Sequence, residues 1–169
     1  LPGVAAPLPG LPIYSVRGAS PGTSAYYLDG MRLPQLFHLL VGGGVVHGEL
    51  VDEVNFYPSG YDARYGRAAG GIVTANTRSA RGDGNHFEGT LRLYDVSGLL
   101  ELKLPRGVRI TASGHYGYPG PILKAIDNRI TLDYWDYQLR LDWRFLTVQV
   151  LGASDTLELS TSTADDEPI

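Results

Sequence analysis

Trp135-Asp136-Tyr137-Gln138-Leu139-Arg140-Leu141-Asp142-Trp143-Arg144-Phe145 carries an apolar side chain at every odd position and a polar or charged one at every even position. Alternation with a period of two belongs to an extended strand with one apolar and one charged face. Aromatic rings stand at both ends of the apolar face, and Leu139 and Leu141 fill its middle. These eleven residues, at about 3.3 Å each and tilted near 45°, span roughly 25 Å, the height of the apolar band of an outer-membrane barrel. In that reading Trp135, Tyr137, Leu139, Leu141, Trp143 and Phe145 face the membrane and the charges face a wet interior. A strand of a soluble sandwich alternates too, but it has no need of rings at both ends.

The neighbouring stretches follow the same rule. Val108, Ile110, Ala112, Gly114, Tyr116 and Tyr118 share one face, opposite Arg109, Thr111, Ser113 and His115. Leu100, Leu102 and Leu104 alternate with Glu101 and Lys103, and Pro105-Arg106-Gly107 joins them to the next strand. Leu99 breaks the alternation, which predicts a bulge near Gly98. Val148 and Val150 open a further strand. The join from Arg144 to Val148 contains no Gly, Asn, Asp or Pro, the residues a tight hairpin asks for. A bulged continuation, or a gap in the chain, is expected there. Residues 160–169, STSTADDEPI, are polar and acidic and read as a loop or disordered tail.

Composition narrows the class. Twenty-two Gly, eleven Pro and eleven Tyr among 169 residues suit loop-rich β structure, with room for one domain or slightly more. No Cys is present, which excludes disulfides and thiolate metal sites. A net charge of −4 supplies no basic field for nucleic acid. No run reaches the roughly 18 apolar residues of a spanning helix, so a membrane role must use strands. Leu1 opens without Met or a basic leader, so the chain reads as processed or truncated.

The N-terminal half is organised differently. Residues 1–12 hold four prolines and read as an extended lead-in. Short strands are expected at Ile13–Arg17, Ala25–Leu28, Val54–Tyr57 and Gly71–Ala75, separated by the turns ASPGTS, Asp29-Gly30 and Pro58-Ser59-Gly60. Leu36–Leu40 is one helical turn or a packed loop, and Val45–Val51 is ambiguous. Gly42-Gly43-Gly44 lacks the Lys-Ser/Thr and helix of a phosphate cradle. In YDARYGRAAGGIVTANTR, residues 61–78, Gly70-Gly71 is expected to permit a backbone bend before the β-branched strand resumes. The result is a small α+β unit over residues 1–78, a linker over 79–89, and amphipathic strands of a partial barrel over 90–159.

Val16-Arg17-Gly18, Leu28-Asp29-Gly30, Tyr65-Gly66-Arg67-Ala68-Ala69-Gly70-Gly71-Ile72-Val73 and Thr77-Arg78 stand in an order that resembles the plug domain of TonB-dependent outer-membrane receptors. The resemblance covers roughly residues 1–78, and the remainder looks like the family's first barrel strands. It implies an outer-membrane receptor of a Gram-negative bacterium that binds a scarce nutrient (a siderophore, a cobalamin, a glycan or a peptide). Import would follow when the TonB complex remodels the plug. It further implies that Arg17 pairs with barrel carboxylates, that Gly18, Asp29, Gly30, Gly66, Gly70 and Gly71 are structural, and that Gln35, Phe37 and His38 lie on an apical loop able to touch substrate. Three departures stand out. Pro58-Ser59-Gly60 replaces the family's Arg-Gly-Pro, leaving Arg64 or Arg67 to make the plug-to-barrel contact. The Ton box would lie upstream of Leu1. The family's barrel has about 22 strands, against four or five here.

Other readings of single motifs are weaker. His38 and His47 lack metal-site spacing, Arg81-Gly82-Asp83 reads as a turn, and Tyr134-Trp135-Asp136-Tyr137 reads as part of an aromatic girdle rather than a sugar platform. No catalytic constellation or cofactor motif is present. The alternative function is a non-enzymatic β subunit or adhesin-like module that pairs with other outer-membrane subunits through strand edges. A soluble carbohydrate-binding β domain comes third.

Overall fold

A computed structural model describes residues 4–6, 14–20, 22–38, 43–79, 84–126 and 129–160. The chain is mostly β and divides into two compact units, Leu1–Gly82 and Asp83–Ile169. Residues 81–83, with their Arg-Gly-Asp tripeptide, and residues 161–169 lie outside the described residues, as do Ile13 and residues 39–42.

In the first unit, β1 (Val4–Ala5) pairs antiparallel with β2 (Ser15–Val16), so part of the proline-rich lead-in is a short strand. A four-stranded sheet follows from β3 (Ala25–Leu28), β4 (Met31–Leu33), β5 (Val51–Tyr57) and β6 (Ile72–Thr77), in the order β4-β3-β6-β5. β3 and β6 run parallel; the other pairs are antiparallel. The ambiguous stretch resolves into a 3-10 turn at Gly48–Leu50 that feeds β5. Leu36–His38 is loop, with Phe37 bridged to Gly44.

Long-range side-chain bonds fix the parallel pair. Asp29 follows β3 with φ 48 and Gly30 with φ 81, as a turn requires. The Asp29 carboxylate also accepts bonds from the Thr77 backbone N–H (2.8 Å) and hydroxyl (2.6 Å) at the end of β6. At the other end Ser24 Oγ accepts the Gly71 N–H at 3.2 Å, and the Gly71 carbonyl accepts the Ala25 N–H at 3.0 Å. Between β5 and β6 the chain folds on itself: the Tyr61 hydroxyl donates to the carbonyls of Ala68 (2.9 Å) and Gly70 (3.3 Å). Tyr65 packs edge-on against Tyr27 and stacks with Tyr57. Burial, then the neighbouring Tyr14 phenol, raises the pKa of Tyr26 on β3 above the ordinary tyrosine value.

Gly70-Gly71 is required for a different reason from the one its sequence suggests. Neither residue has the left-handed φ found at Gly18, Gly30 and Gly60. Space is the constraint. A Cβ at Gly71 would stand 2.7 Å from the Phe56 ring and 3.2 Å from the Tyr57 carbonyl, and one at Gly70 would stand 2.7 Å from Ser24 Oγ.

The second unit is an antiparallel meander, β7 (His86–Leu91), β8 (Asp95–Lys103), β9 (Val108–Gly117), β10 (Ile130–Trp143) and β11 (Leu146–Leu159), ordered as in the sequence. Helix α1 (Gly120–Ile126), which the sequence reading lacks, connects β9 to β10. Two further expectations are corrected. β8 holds continuous register with β7 and β9 through Gly98, so no bulge is present; Leu99 simply faces the polar side of the sheet, where it is buried. The join after β10 is a two-residue hairpin: Trp143 pairs with Leu146, and Arg144 adopts φ 54 to close the turn without Gly or Asn. Phe145 therefore belongs to the turn and not to the strand.

Gly71→Ala is expected to lower the unfolding free energy of the first unit by about 1–3 kcal/mol through overpacking. Gly66→Ala, where nothing lies within 4 Å, is expected to be neutral or slightly stabilising. Denaturant titration of both variants checks the contrast.

Candidate membrane-facing surface and its polar reverse

Residues directly opposite one another in an antiparallel pair share a face, so the register of the second unit assigns every side chain to one side. One face carries rows that run across the strands. Val108, Trp143 and Leu146 form the first; Leu102, Ile110, Leu141 and Val148 the next. Phe87, Leu100, Ala112, Leu139 and Val150 follow, and Leu91, Val96, Tyr116 and Trp135 lie near the opposite end. Between these last two rows lies one of glycines, Gly89, Gly98, Gly114 and Gly152, interrupted by Tyr137. The Tyr137 ring covers Gly152, where a Cβ would come within 2.6 Å of it. Trp135 and Tyr137 stack at 5.9 Å.

The reverse face carries His86, Glu88, Asp95, Glu101, Thr111, Ser113, His115, Asp136, Gln138 and Arg140. Exposure is inverted relative to a protein with an apolar core. Leu139 is 49% exposed and Trp135 46%, whereas Gln138 between them is 3%, Asp136 6% and Glu101 1%. Six members of the expected membrane-facing set, Trp135, Tyr137, Leu139, Leu141, Trp143 and Phe145, are exposed; the first five share the apolar face. Tyr134 lies on the reverse face and is fully buried, so it cannot share a stacking platform with Trp135 and Tyr137.

Several of the buried polar groups are paired with one another, although His115 Nε2, the Tyr134 hydroxyl and Gln138 Nε2 make no hydrogen bond among the described residues. His115 Nδ1 lies 3.0 Å from the Asp136 carboxylate, while its Nε2 faces Asp95 at 3.7 Å. The two carboxylates thus address opposite ring nitrogens, and only the Asp136 contact is within hydrogen-bond distance. Arg92 contacts Asp95 at 3.0 Å, Ser113 Oγ donates to Gln138 at 3.2 Å, and Arg140 Nε donates to Asp142 at 2.9 Å. The Tyr134 ring meets His115 edge-on and covers Gly117, where a Cβ would sit 2.0 Å from it. Spacing along one strand could not reveal this network, because its members come from three.

The site residues of the first unit are dispersed. Arg17, with φ 51 in the turn before Gly18, donates from Nη1 to Ser59 Oγ at 2.6 Å, beside a cavity of about 300 Å³ lined also by Pro58, Gly60 and Tyr61. Pro58-Ser59-Gly60 thus meets Arg17 directly. Arg64 lies over the Tyr65 ring at 4.8 Å, and Arg67 adopts φ 59 in the loop after Gly66. Gln35 and Phe37 are half-buried and His38 is buried. Phe37 lines an apolar cavity of about 170 Å³ with Tyr26, Leu33, Val54 and Val73.

No helix among the described residues is long and apolar enough to cross a membrane, which says nothing of crossing by strands. Comparison of the chain with protein-family models, characterised proteins and solved structures yields no match.

Asp136→Ala is expected to cost about 1–3 kcal/mol, since it removes the buried acceptor beside His115. Asp136→Asn, which keeps an acceptor oxygen, is expected to recover part of the loss, measured by equilibrium unfolding in detergent.

Proposed function

We propose that this chain comprises the plug and first barrel strands of a TonB-dependent outer-membrane receptor, which binds a scarce nutrient and admits it when the TonB complex acts on the plug. The observation that carries the reading is the inverted sheet: apolar rows exposed on one face, hydrogen-bonded charges and amides buried on the other. Lipid is the solvent in which that arrangement is stable. The motif order in the first unit supports the family. Its Asp-Gly and Thr-Arg elements are joined by the Asp29–Thr77 bonds, so they form one structural device.

The second reading, a β subunit that pairs with other chains, draws on one observation. Among the described residues β7 and β11 are both sheet edges. Open edges are not tolerated in hydrocarbon, so both need further strands, from the same polypeptide in the first reading and from another chain in the second.

Leu139→Arg separates membrane from water. On a lipid-facing strand it is expected to cost about 2–4 kcal/mol in a bilayer; on a half-exposed soluble sheet it would fall within about 0.5 kcal/mol. Denaturant unfolding in vesicles reads the difference. For transport, cells carrying the protein are supplied with ferric chelates, cobalamin, oligosaccharides or peptides, with TonB energised or not. TonB-dependent uptake of one class is expected, and uptake of none overturns the assignment. The intact mass of the detergent-extracted polypeptide then distinguishes one long chain from a subunit.

A further inference from the structure

The following rests on the membrane reading above. Two tight turns of the second unit, Pro105-Arg106-Gly107 between β8 and β9 and Arg144-Phe145 between β10 and β11, project from the same end of the sheet, and the short Arg92–Tyr94 turn between β7 and β8 projects from the other. Val108 and Leu146 both pair with Trp143, so the two turns flank neighbouring strands about 4.8 Å apart. Each turn places an arginine in the left-handed region, Arg106 at φ 66 and Arg144 at φ 54. Gly or Asn adopts that conformation at lower cost, yet the same cationic residue occupies it in both turns.

The surroundings match this choice. Phe145 is 97% exposed, and Leu104 and Leu146 are exposed beside the turns. The Arg144 guanidinium lies over the Trp143 ring at 5.6 Å. Lys103 and Arg109 form the last pair on the reverse face. Asp142, opposite Arg109, accepts bonds from Arg140 and from the Thr147 hydroxyl. At the other end of the sheet stand Asp95, Asp133, Asp155 and Glu158, with Arg92 paired to Asp95, the exposed Leu91 and Leu93 at the β7–β8 turn, and the longer connection that carries α1. Exposed apolar side chains thus stand at both ends, whereas carboxylates gather at the α1 end and cations predominate at the end that carries Arg106 and Arg144.

We infer that this end is a docking surface for anionic phospholipid, with Arg106 and Arg144 binding headgroup phosphates and Phe145 and Leu104 resting at the acyl boundary. Guanidinium forks suit phosphate oxygens bidentately, and each basic side chain near an anionic leaflet strengthens attachment. Short turns also belong on the periplasmic side of outer-membrane barrels, where the leaflet is phospholipid.

The test uses the full polypeptide extracted in detergent and reconstituted in vesicles of phosphatidylcholine with phosphatidylglycerol, then released for native mass spectrometry. Phosphatidylglycerol is expected to be retained over phosphatidylcholine, and Arg106→Gln and Arg144→Gln are each expected to reduce that enrichment about fivefold. Arg129→Gln, at the opposite end, is expected to leave it unchanged. Equal retention by the double variant overturns the inference, and so does a lipopolysaccharide preference that the same two substitutions abolish. Insertion is scored separately by quenching of tryptophan fluorescence with brominated lipid. A protein that fails to insert overturns the membrane reading itself, whereas one that inserts without phosphatidylglycerol enrichment overturns only the headgroup assignment.

Discussion

Continuous register across five strands is the constraint on which the second unit depends. Side chains alternate with a period of two, so a slip of one residue in any pair would carry every leucine of that strand to the polar side and every charge to the apolar side. Two aromatic–glycine contacts hold β10 against this. On the apolar face Tyr137 covers Gly152 of β11, and on the polar face Tyr134 covers Gly117 of β9. A slip would bring a side chain under one ring or the other. The two-residue turn at Arg144–Phe145 closes the same register from the end. Aromatic rings laid over glycines are a known means of pinning strands, and here one operates on each side of a single strand.

The first unit applies a related logic to a parallel pair, which cannot be pinned by a hairpin. β3 and β6 are separated by most of the unit's sequence, and their contact is closed at both ends by side chains, Ser24 to the Gly71 amide and Asp29 to Thr77. Gly70 and Gly71 leave room for Ser24, Phe56 and Val16 to approach the backbone. Leu28-Asp29-Gly30, Gly70-Gly71-Ile72-Val73 and Thr77-Arg78, separate along the chain, are therefore successive contacts along one strand pair, while Val16-Arg17-Gly18 lies on β2 and its turn. Their order and spacing follow from the register Ala25↔Ile72 to Leu28↔Ala75.

What the sequence made legible was whatever one strand expresses by itself. The alternation from Trp135 to Trp143 and from Val108 to Tyr116 gave the strands and their faces, and Asp29-Gly30 gave its turn. What it hid depended on partners. Leu99 looked like a defect because its polar-face neighbours lie on β7 and β9. Arg144–Phe145 looked like no turn because turn chemistry is a preference, and an arginine can adopt the left-handed conformation when the flanking register demands it. The Asp95–His115–Asp136 arrangement draws on three strands, and the Asp29–Thr77 bonds on residues 48 apart in sequence. No local pattern could announce either.

The same comparison bears on which solvent the sheet is built for. In water, a leucine or valine left about half exposed forgoes roughly 1 kcal/mol of burial, and the apolar rows repeat that loss across five strands. Buried carboxylates and amides on the other side must be desolvated, and the pairing of His115 Nδ1 with Asp136 and of Ser113 with Gln138 Oε1 offsets part of that cost. Either face alone could be an oddity of a soluble sheet. Together they are opposite consequences of one alternation, and under the proposed membrane reading lipid in place of water turns the cost of the apolar face into a gain while leaving the polar side unchanged.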